Sequence, residues 1–339
     1  MEKERKEEER KKKEEEEEVE EEDCVWKKFS HEELERQYSP SRWSRRLGED
    51  VIIERHVEEA RGRSGEAMGR VGRRGDLVYD SSLPRGKLDV YGEDLDGASP
   101  VLVYVHGGYW QELNKDLSAY LVPPLYQASI VVVIIGYDLA PLVGVKDIVQ
   151  EVRKGVAWAC ELAKGRGSVG VVLSGWSAGG QLVTQVLSEE EERSGEEVNP
   201  YRDLIRGVVT FSGIFDLRPL VTTYVNDALK LTSSEEAWAL SPLRSVGKLA
   251  KRWGGVGRGG GGGGGGGGLQ IFVIVAEEDS PEFIRQSKEY YQACLGEGLR
   301  GEFLVVGKTD HFSIVCDLFL PTHLPTERLP KFIYSCCGD

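Results

Sequence analysis

Residues 169–187, VGVVLSGWSAGGQLVTQVL, are the stretch that decides the fold of this chain. An apolar run leads into Gly175-Trp176-Ser177-Ala178-Gly179, and apolar side chains at 182, 183, 186 and 187 then recur at helical spacing. The pattern predicts a strand, a tight turn and a helix. The turn has the form G-x-S-x-G of a nucleophile elbow, in which glycines allow the backbone to approach closely and a serine hydroxyl is lifted above the sheet. Ser177 is therefore the candidate nucleophile, and a purely structural glycine turn is the alternative.

Further strands and helices alternate on both sides of this stretch. Apolar runs predict strands over residues 101–105, 130–135, 208–211, 271–276 and 303–306. One helix is predicted from residue 145 to a stop at Gly165, and another from the cap Ser280-Pro281-Glu282 to near Gly296. Strands that are apolar throughout and are separated by amphipathic helices indicate a parallel sheet covered on both faces. The predicted fold class is α/β, with a mostly parallel sheet and helices on both faces.

A glycine pair follows the first of these strands, in the segment HGGYW at 106–110. Acyl transfer needs N–H groups aimed at the developing oxyanion, and glycines after a strand can present them. We expect the amides of Gly107 and Gly108 to serve as oxyanion donors, together with the amide of Ala178 directly after the candidate nucleophile.

The other three residues of this segment have less certain roles. His106 precedes the serine and belongs to the glycine turn, so we expect it to hold the loop and not to act as the base. Tyr109 and Trp110 are either core aromatics or walls of an aryl substrate pocket.

The general base should follow the acid, because elbow enzymes keep the chain order Ser, Asp or Glu, His. His31 and His56 precede the serine. His311 follows a predicted strand and begins an amphipathic stretch, whereas His323 lies among prolines. His311 is the candidate base.

Two aspartates are candidates for the acid. Asp279 follows the strand at 271–276, and Asp216 follows the strand that ends near residue 211. Either position can reach a histidine in this architecture, so spacing favours Asp279 without excluding Asp216. Glu277 and Glu278 are expected to be surface carboxylates.

Much of the acidity lies in the N-terminal tail. The chain has 339 residues and a formal net charge of −14, and residues 1–23 hold 14 acidic and 7 basic side chains, so they carry half of that charge. Such a composition predicts a disordered or solvated tail; an interaction tail is the alternative. The overall balance argues against nucleic acid as a partner, because phosphate binding needs a basic surface.

A second low-complexity segment, residues 254–268, ends in ten consecutive glycines. Glycine loses the most backbone entropy on ordering, so the run predicts a flexible insertion. The domain prediction is a charged tail over 1–23 and a single catalytic domain over 24–339 that contains this insertion.

Cysteine spacing and hydropathy predict the setting of the protein. The six cysteines show no C-x-x-C pair, which favours a reduced intracellular environment over disulfides or zinc. Residues 117–137 carry no charge but contain two prolines, a glutamine and two serines, which favours a loop followed by a buried strand over a membrane span. We expect a soluble protein of the cytosol, with the nucleus as a further location.

A set of motifs follows in order along the chain: HGGYW at 106–110, GYDLAP at 136–141, GWSAGG at 175–180, FSGIFDLRPL at 211–220, EEDSPEF at 277–283 and DHF at 310–312, with QYSPSRW at 37–43 and LDVYG at 88–92. This set resembles the kynurenine formamidase (arylformamidase) family, on the esterase and lipase side of the α/β-hydrolases. The resemblance covers roughly residues 33–335; the tail is not part of it, and the glycine-rich segment departs from it.

The resemblance implies an α/β-hydrolase fold with Ser177 as nucleophile, Asp279 as acid and His311 as base. It implies hydrolysis of the small aryl formamide N-formyl-L-kynurenine to L-kynurenine and formate, a step of tryptophan catabolism. It also implies a homodimer that needs no metal or organic cofactor. The charge balance and the hydropathy above predict no nucleic acid and no membrane partner. The alternatives are a general carboxylesterase with the same triad, or a non-catalytic binding protein of the same fold.

Overall fold

The computed structural model describes residues 24–188, 200–254 and 268–338. Its centre is a sheet of eight strands in the order β1-β2-β4-β3-β5-β6-β7-β8. Strand β2 runs antiparallel to β1 and β4, and every other neighbouring pair is parallel. The strands are β1 Arg73–Val78, β2 Lys87–Tyr91, β3 Val101–Val105, β4 Val131–Ile135, β5 Val171–Trp176, β6 Ile205–Phe211, β7 Gln270–Ala276 and β8 Arg300–Val306.

Helices pack on both faces of this sheet. In the described residues the α-helices are α1 His31–Gln37, α2 Glu49–Arg70, α3 Val122–Gln127, α4 Val145–Arg166, α5 Ala178–Ser188, α6 Asn226–Leu229, α7 Ser234–Ala239, α8 Val246–Trp253, α9 Pro281–Gly296, α10 Ser313–Cys316 and α11 Leu324–Cys337. The predicted α/β class, with a mostly parallel sheet and helices on both faces, is confirmed.

The apolar strands divide their side chains between two cores, as the twofold period of a strand requires. In β3, Val101, Val103 and Val105 join the core that contains α4, α5 and α9. Leu102 and Tyr104 join the core that contains α2, α3 and α11. Burial on both faces explains why these strands are apolar at every position.

Several boundaries differ from the sequence prediction. Helix α4 continues through Gly165 and ends at Arg166, because Gly167 adopts the left-handed conformation (φ 77°) that caps a helix. The predicted loop before β4 contains the short helix α3, whose two prolines lie in its first turn, where no amide partner is lost. No helix in the described ranges is long and apolar enough to cross a membrane.

The charged tail and residues 255–267 of the glycine-rich segment lie outside the described residues, so the predictions made for both stay predictions.

The parallel direction of β3, β5, β6, β7 and β8 brings their carboxyl ends to one edge of the sheet. The segments that follow these strands meet there, which is where α/β sheets place their ligand sites.

Candidate active site

The elbow at the end of β5 holds Ser177 in a conformation that its neighbours impose. Ser177 has a φ of 54°, and its amide donates to Phe211 O at 2.8 Å. A Cβ on Gly175 would lie 2.2 Å from Gly179 O, and a Cβ on Gly179 would lie 2.1 Å from Val105 O. Both glycines of the motif are therefore required by contact with backbone, and the strained serine is held at the start of α5.

His311 and Asp279 form a buried pair in the segments after β8 and β7. The Nδ1–H of His311 donates to Asp279 Oδ1 at 2.7 Å, and both side chains are at most 3% exposed. The carbonyl of His311 accepts a hydrogen bond from the Trp176 indole at 2.9 Å. Because Trp176 directly precedes Ser177, this bond ties the histidine segment to the elbow.

Asp216, the other candidate acid, is engaged elsewhere. Its carboxylate forms a two-pronged ion pair with Arg218, at 3.0 and 2.9 Å. Glu277 and Glu278 lie closer to the surface and accept backbone amides of Lys308 and Arg45 at 2.8 and 3.1 Å. Asp279 is the carboxylate that contacts His311.

His323 lies apart from this pair, at the N-terminus of α11. Its Nε2–H donates to Ile314 O at 3.2 Å, and burial lowers its pKa. The His323 ring therefore binds the backbone carbonyl of Ile314.

The glycine pair at 107 and 108 lies directly against the elbow. A Cβ on Gly107 would be 3.0 Å from Ser177 Cβ and 2.8 Å from Trp176 O. Gly108 has a φ of 108°, which favours glycine. Within the described ranges neither glycine amide donates to a protein acceptor, and Ala178 begins α5, where first-turn amides lack helical partners. The arrangement can offer three donors beside the serine.

His106 holds this loop. Its Nδ1–H donates to Gly107 O at 2.8 Å, and its ring stacks on Tyr137 with centroids 4.2 Å apart. Burial lowers the pKa of His106 to about 4, so the ring is neutral at physiological pH.

The two aromatic residues of the segment differ in position. Trp110 is fully buried in the core, where its indole N–H donates to Gln181 at 2.9 Å. Tyr109 is half-buried, and its hydroxyl donates to Tyr38 O at 2.7 Å. Of the two predicted alternatives, the core position describes Trp110, and Tyr109 remains the candidate pocket wall.

Three residues that contact this machinery were not identified from the sequence. The Ser212 hydroxyl donates to Asp279 Oδ2, and Ser44 and Arg46 both bind Asp310, the neighbour of His311. Ser212 lies inside the motif FSGIFDLRPL, which is the one signal that could have pointed to it.

The described ranges contain no group of three or more His, Cys, Asp or Glu side chains with the geometry of a metal site. The arrangement has a hydroxyl on a strained turn, a buried histidine–carboxylate pair and amides beside the hydroxyl. These are the parts needed for nucleophilic acyl transfer.

Comparison with known proteins agrees with this chemistry. A family model of the alpha/beta hydrolase fold matches residues 102–313. Kynurenine formamidase of Danio rerio is 38% identical over 309 residues, which cover 91% of this chain and 98% of that protein. Kynurenine formamidase of Salmo salar is 36% identical over 310 residues, with the same two coverages. The crystal structure of EstE1, a thermostable carboxylesterase from a metagenomic library, superposes with a TM-score of 0.63 at 17% identity, covering 87% of this chain and all of that one.

Proposed function

The chain belongs to the kynurenine formamidase family of α/β-hydrolases, and on that premise we propose that it hydrolyses N-formyl-L-kynurenine to L-kynurenine and formate. The observation that carries the substrate assignment is the 38% identity to the Danio rerio kynurenine formamidase across 98% of that protein. The proposed catalytic residues are Ser177, His311 and Asp279, supported by the buried His311–Asp279 hydrogen bond next to the elbow. The reaction belongs to tryptophan catabolism.

The first half of the reaction forms a formyl-enzyme. His311 takes the proton of the Ser177 hydroxyl as the oxygen attacks the formyl carbon. The carbonyl oxygen becomes an oxyanion that accepts hydrogen bonds from the amides of Gly107, Gly108 and Ala178, each worth about 3–4 kcal/mol in the transition state of comparable enzymes. The imidazolium, stabilised by Asp279, then protonates the aniline nitrogen, the C–N bond breaks and L-kynurenine leaves.

The second half of the reaction repeats the same roles with water. His311 removes a proton from a water molecule, which attacks the formyl carbon of the ester on Ser177. Collapse of the second oxyanion breaks the ester bond, His311 returns the proton to the serine oxygen, and formate leaves.

The test is turnover of N-formyl-L-kynurenine, followed through the absorbance of released L-kynurenine. We expect Ser177→Ala to lower kcat/KM by at least about a thousandfold, because the nucleophile is lost. The same proteins are assayed with p-nitrophenyl acetate. A strong preference for the ester would favour a carboxylesterase, and unchanged formamide turnover by Ser177→Ala would contradict the proposal.

The family resemblance also supports a homodimer in the cytosol and nucleus. Sedimentation equilibrium over a range of protein concentrations tests the dimer, and a single species of monomer mass would contradict it. Imaging of the tagged full chain in cells tests the location.

A further inference from the structure

Asp310, the residue directly before His311, is fully buried and is held by a network of hydrogen bonds. Its Oδ1 accepts the amides of Phe312 and Ser313 at 3.1 and 2.7 Å, and its own amide donates to the Ser313 hydroxyl at 3.0 Å. These bonds fold residues 310–313 into a turn that carries His311 between β8 and α10. The backbone conformation of the histidine segment therefore depends on the Asp310 carboxylate.

The remaining bonds to this carboxylate come from the opposite end of the chain. Asp310 Oδ2 accepts the Ser44 hydroxyl at 2.6 Å and Arg46 Nε at 2.8 Å, and Arg46 Nη2 lies 3.3 Å from Oδ1. Arg46 Nη1 also lies 3.5 Å from Glu59 Oε2 of α2. A guanidinium held in this two-nitrogen geometry fixes both the position and the orientation of a carboxylate.

The network also fixes the charge of Asp310. Burial alone would raise its pKa, but hydrogen bonds from Arg46 and Ser44 outweigh that effect and lower the pKa to about 2. The pair is therefore ionised at physiological pH. Removing Arg46 would leave the buried charge of Asp310 without its partner, which destabilises the turn that Asp310 holds.

His311 has two other attachments, and neither replaces this one. Asp279 holds the ring through Nδ1, and Trp176 holds the carbonyl. These two bonds hold the ring and the carbonyl of His311, but neither of them reaches the turn of residues 310–313 that carries it. A displacement of about 1 Å between a base and its nucleophile is enough to lower a rate a hundredfold.

We propose that Arg46 and Asp310 are positioning residues for His311, so that residues 44–46, near the N-terminus, set the geometry of the general base. The inference rests on the proposed role of His311 in formamide hydrolysis. A positioning role predicts that the contribution of the pair appears in kcat and not in KM.

The matched control is the ion pair between Arg63 and Asp317, with Nη1 and Oδ1 2.7 Å apart. Like the pair above, it joins the helix α2 region to the segment after β8, but it does not contact Asp310. Arg63→Ala therefore removes a similar interelement ion pair without disturbing the turn that carries His311.

The experiment compares Arg46→Ala, Asp310→Asn and Arg63→Ala by kcat, KM and Tm. We expect Arg46→Ala and Asp310→Asn to lower kcat about tenfold to a hundredfold with KM changed by less than about twofold. Arg63→Ala should lower Tm but leave kcat within about twofold. A kcat loss no larger than that of Arg63→Ala, or a loss confined to KM, would overturn the proposal.

Chemical rescue supplies a readout that general destabilisation does not move. The Arg46 side chain is 31% exposed, so solvent reaches its site. We expect millimolar guanidinium chloride to restore part of the kcat of Arg46→Ala and none of that of Asp310→Asn. Rescue of neither variant, or rescue of both, would contradict the role of the ion pair. If Asp310→Asn does not fold, the kcat of Arg46→Ala with and without guanidinium is the deciding comparison.

A fluorophosphonate probe separates this inference from the substrate assignment. The rate at which the probe labels Ser177 depends on the base but not on recognition of formamide. If the parent protein labels quickly without hydrolysing N-formyl-L-kynurenine, the proposed function fails, and the labelling rates of the variants still test the positioning pair.

Discussion

The Asp279 carboxylate is satisfied on both oxygens, and each oxygen has a separate task. Oδ1 accepts the His311 ring, while Oδ2 accepts the Ser212 hydroxyl and the Ala276 amide at 3.2 Å. Ser212 is fully buried and has a φ of 46°, a conformation that is costly for a serine. The strain is consistent with a hydroxyl placed to orient the acid.

Replacing Ser212 by alanine should therefore weaken catalysis. A hydrogen bond to a charged group contributes about 1.5–3 kcal/mol, so Ser212→Ala is expected to lower kcat about tenfold to a hundredfold. The control is Ser174→Ala in β5, because the Ser174 hydroxyl is buried and has no partner among the described residues. Equal kcat values for the two variants would contradict an orienting role for Ser212.

His56 of α2 is a buried base whose titration affects stability. Burial, together with the nearby His311, lowers its pKa from the ordinary 6.5 to about 3. The unfolded chain binds a proton at this ring below pH 6.5, whereas the folded chain does so only near pH 3. The free energy of unfolding should consequently fall as the pH drops from 6.5 toward 3.

His56→Gln should flatten this dependence. One proton corresponds to a slope of about 1.4 kcal/mol per pH unit, so the variant is expected to lose up to that much slope between pH 6 and 4. Urea unfolding at several pH values measures it. His31→Gln, at a side chain 71% exposed, is the control and should retain the parental slope.

At the scale of elements, the elbow depends on the close approach of three backbone segments. A Cβ on Gly179 would meet Val105 O at 2.1 Å and His106 O at 2.6 Å, so α5 could no longer begin against the end of β3. The contact couples the elbow, with the proposed nucleophile Ser177, to the loop of Gly107 and Gly108.

Gly179→Ala should therefore cost both stability and activity. Overpacking of this kind destabilises by about 1–3 kcal/mol or more, and the displaced elbow should lower kcat even in the fraction that folds. Gly69→Ala is the comparison, because no atom lies within 4 Å of its Cβ position in α2, and alanine is favoured in a helix by about 0.5–1 kcal/mol. The measurements are the thermal unfolding temperature and the kcat of both variants. A Gly179→Ala protein that is both stable and active would contradict the steric argument.

The elements that could be predicted from sequence are those with a local signal. Strand β3 has the predicted bounds to the residue, since its five positions are apolar, and the order of motifs predicts Ser177 and His311 as catalytic residues. Strand β1 begins Arg73-Arg74-Gly75-Asp76 at the edge of the sheet, where exposed positions need no apolar side chains, so no run marks it.

The contacts of Ser44, Arg46 and Ser212 could not be predicted from the sequence, for a different reason. Ser44 and Asp310 are 266 residues apart, and Ser212 and Asp279 are 67 residues apart. A serine or an arginine in a polar stretch carries no periodicity that would show which distant carboxylate it binds.

At the scale of the molecule, the site gives the chain a functional boundary. Residues 1–23 hold 14 acidic and 7 basic side chains and precede the residues that contact the site. Residues 44–46 are already part of the network around His311.

Two truncations should therefore behave differently. Removing residues 1–23 is expected to leave kcat within about twofold, whereas removing residues 1–46 should lower kcat at least as much as Arg46→Ala does, because Asp310 loses both Ser44 and Arg46. Activity and circular dichroism of both proteins test the boundary. Loss of activity in a folded protein that lacks only residues 1–23 would show that the tail takes part in turnover.

The bond between Ser44 and Asp310 also has a consequence for biosynthesis. At about 5–20 residues per second, the ribosome needs about 15–50 s to make the 266 residues that separate the two partners. For about half of that time, from the synthesis of Ser177 to that of His311, the nascent chain carries Ser177 but lacks the proposed base. A chain released before His311 is made lacks the proposed base, so we expect hydrolytic activity to arise only after His311 is synthesised and its segment meets residues 44–46.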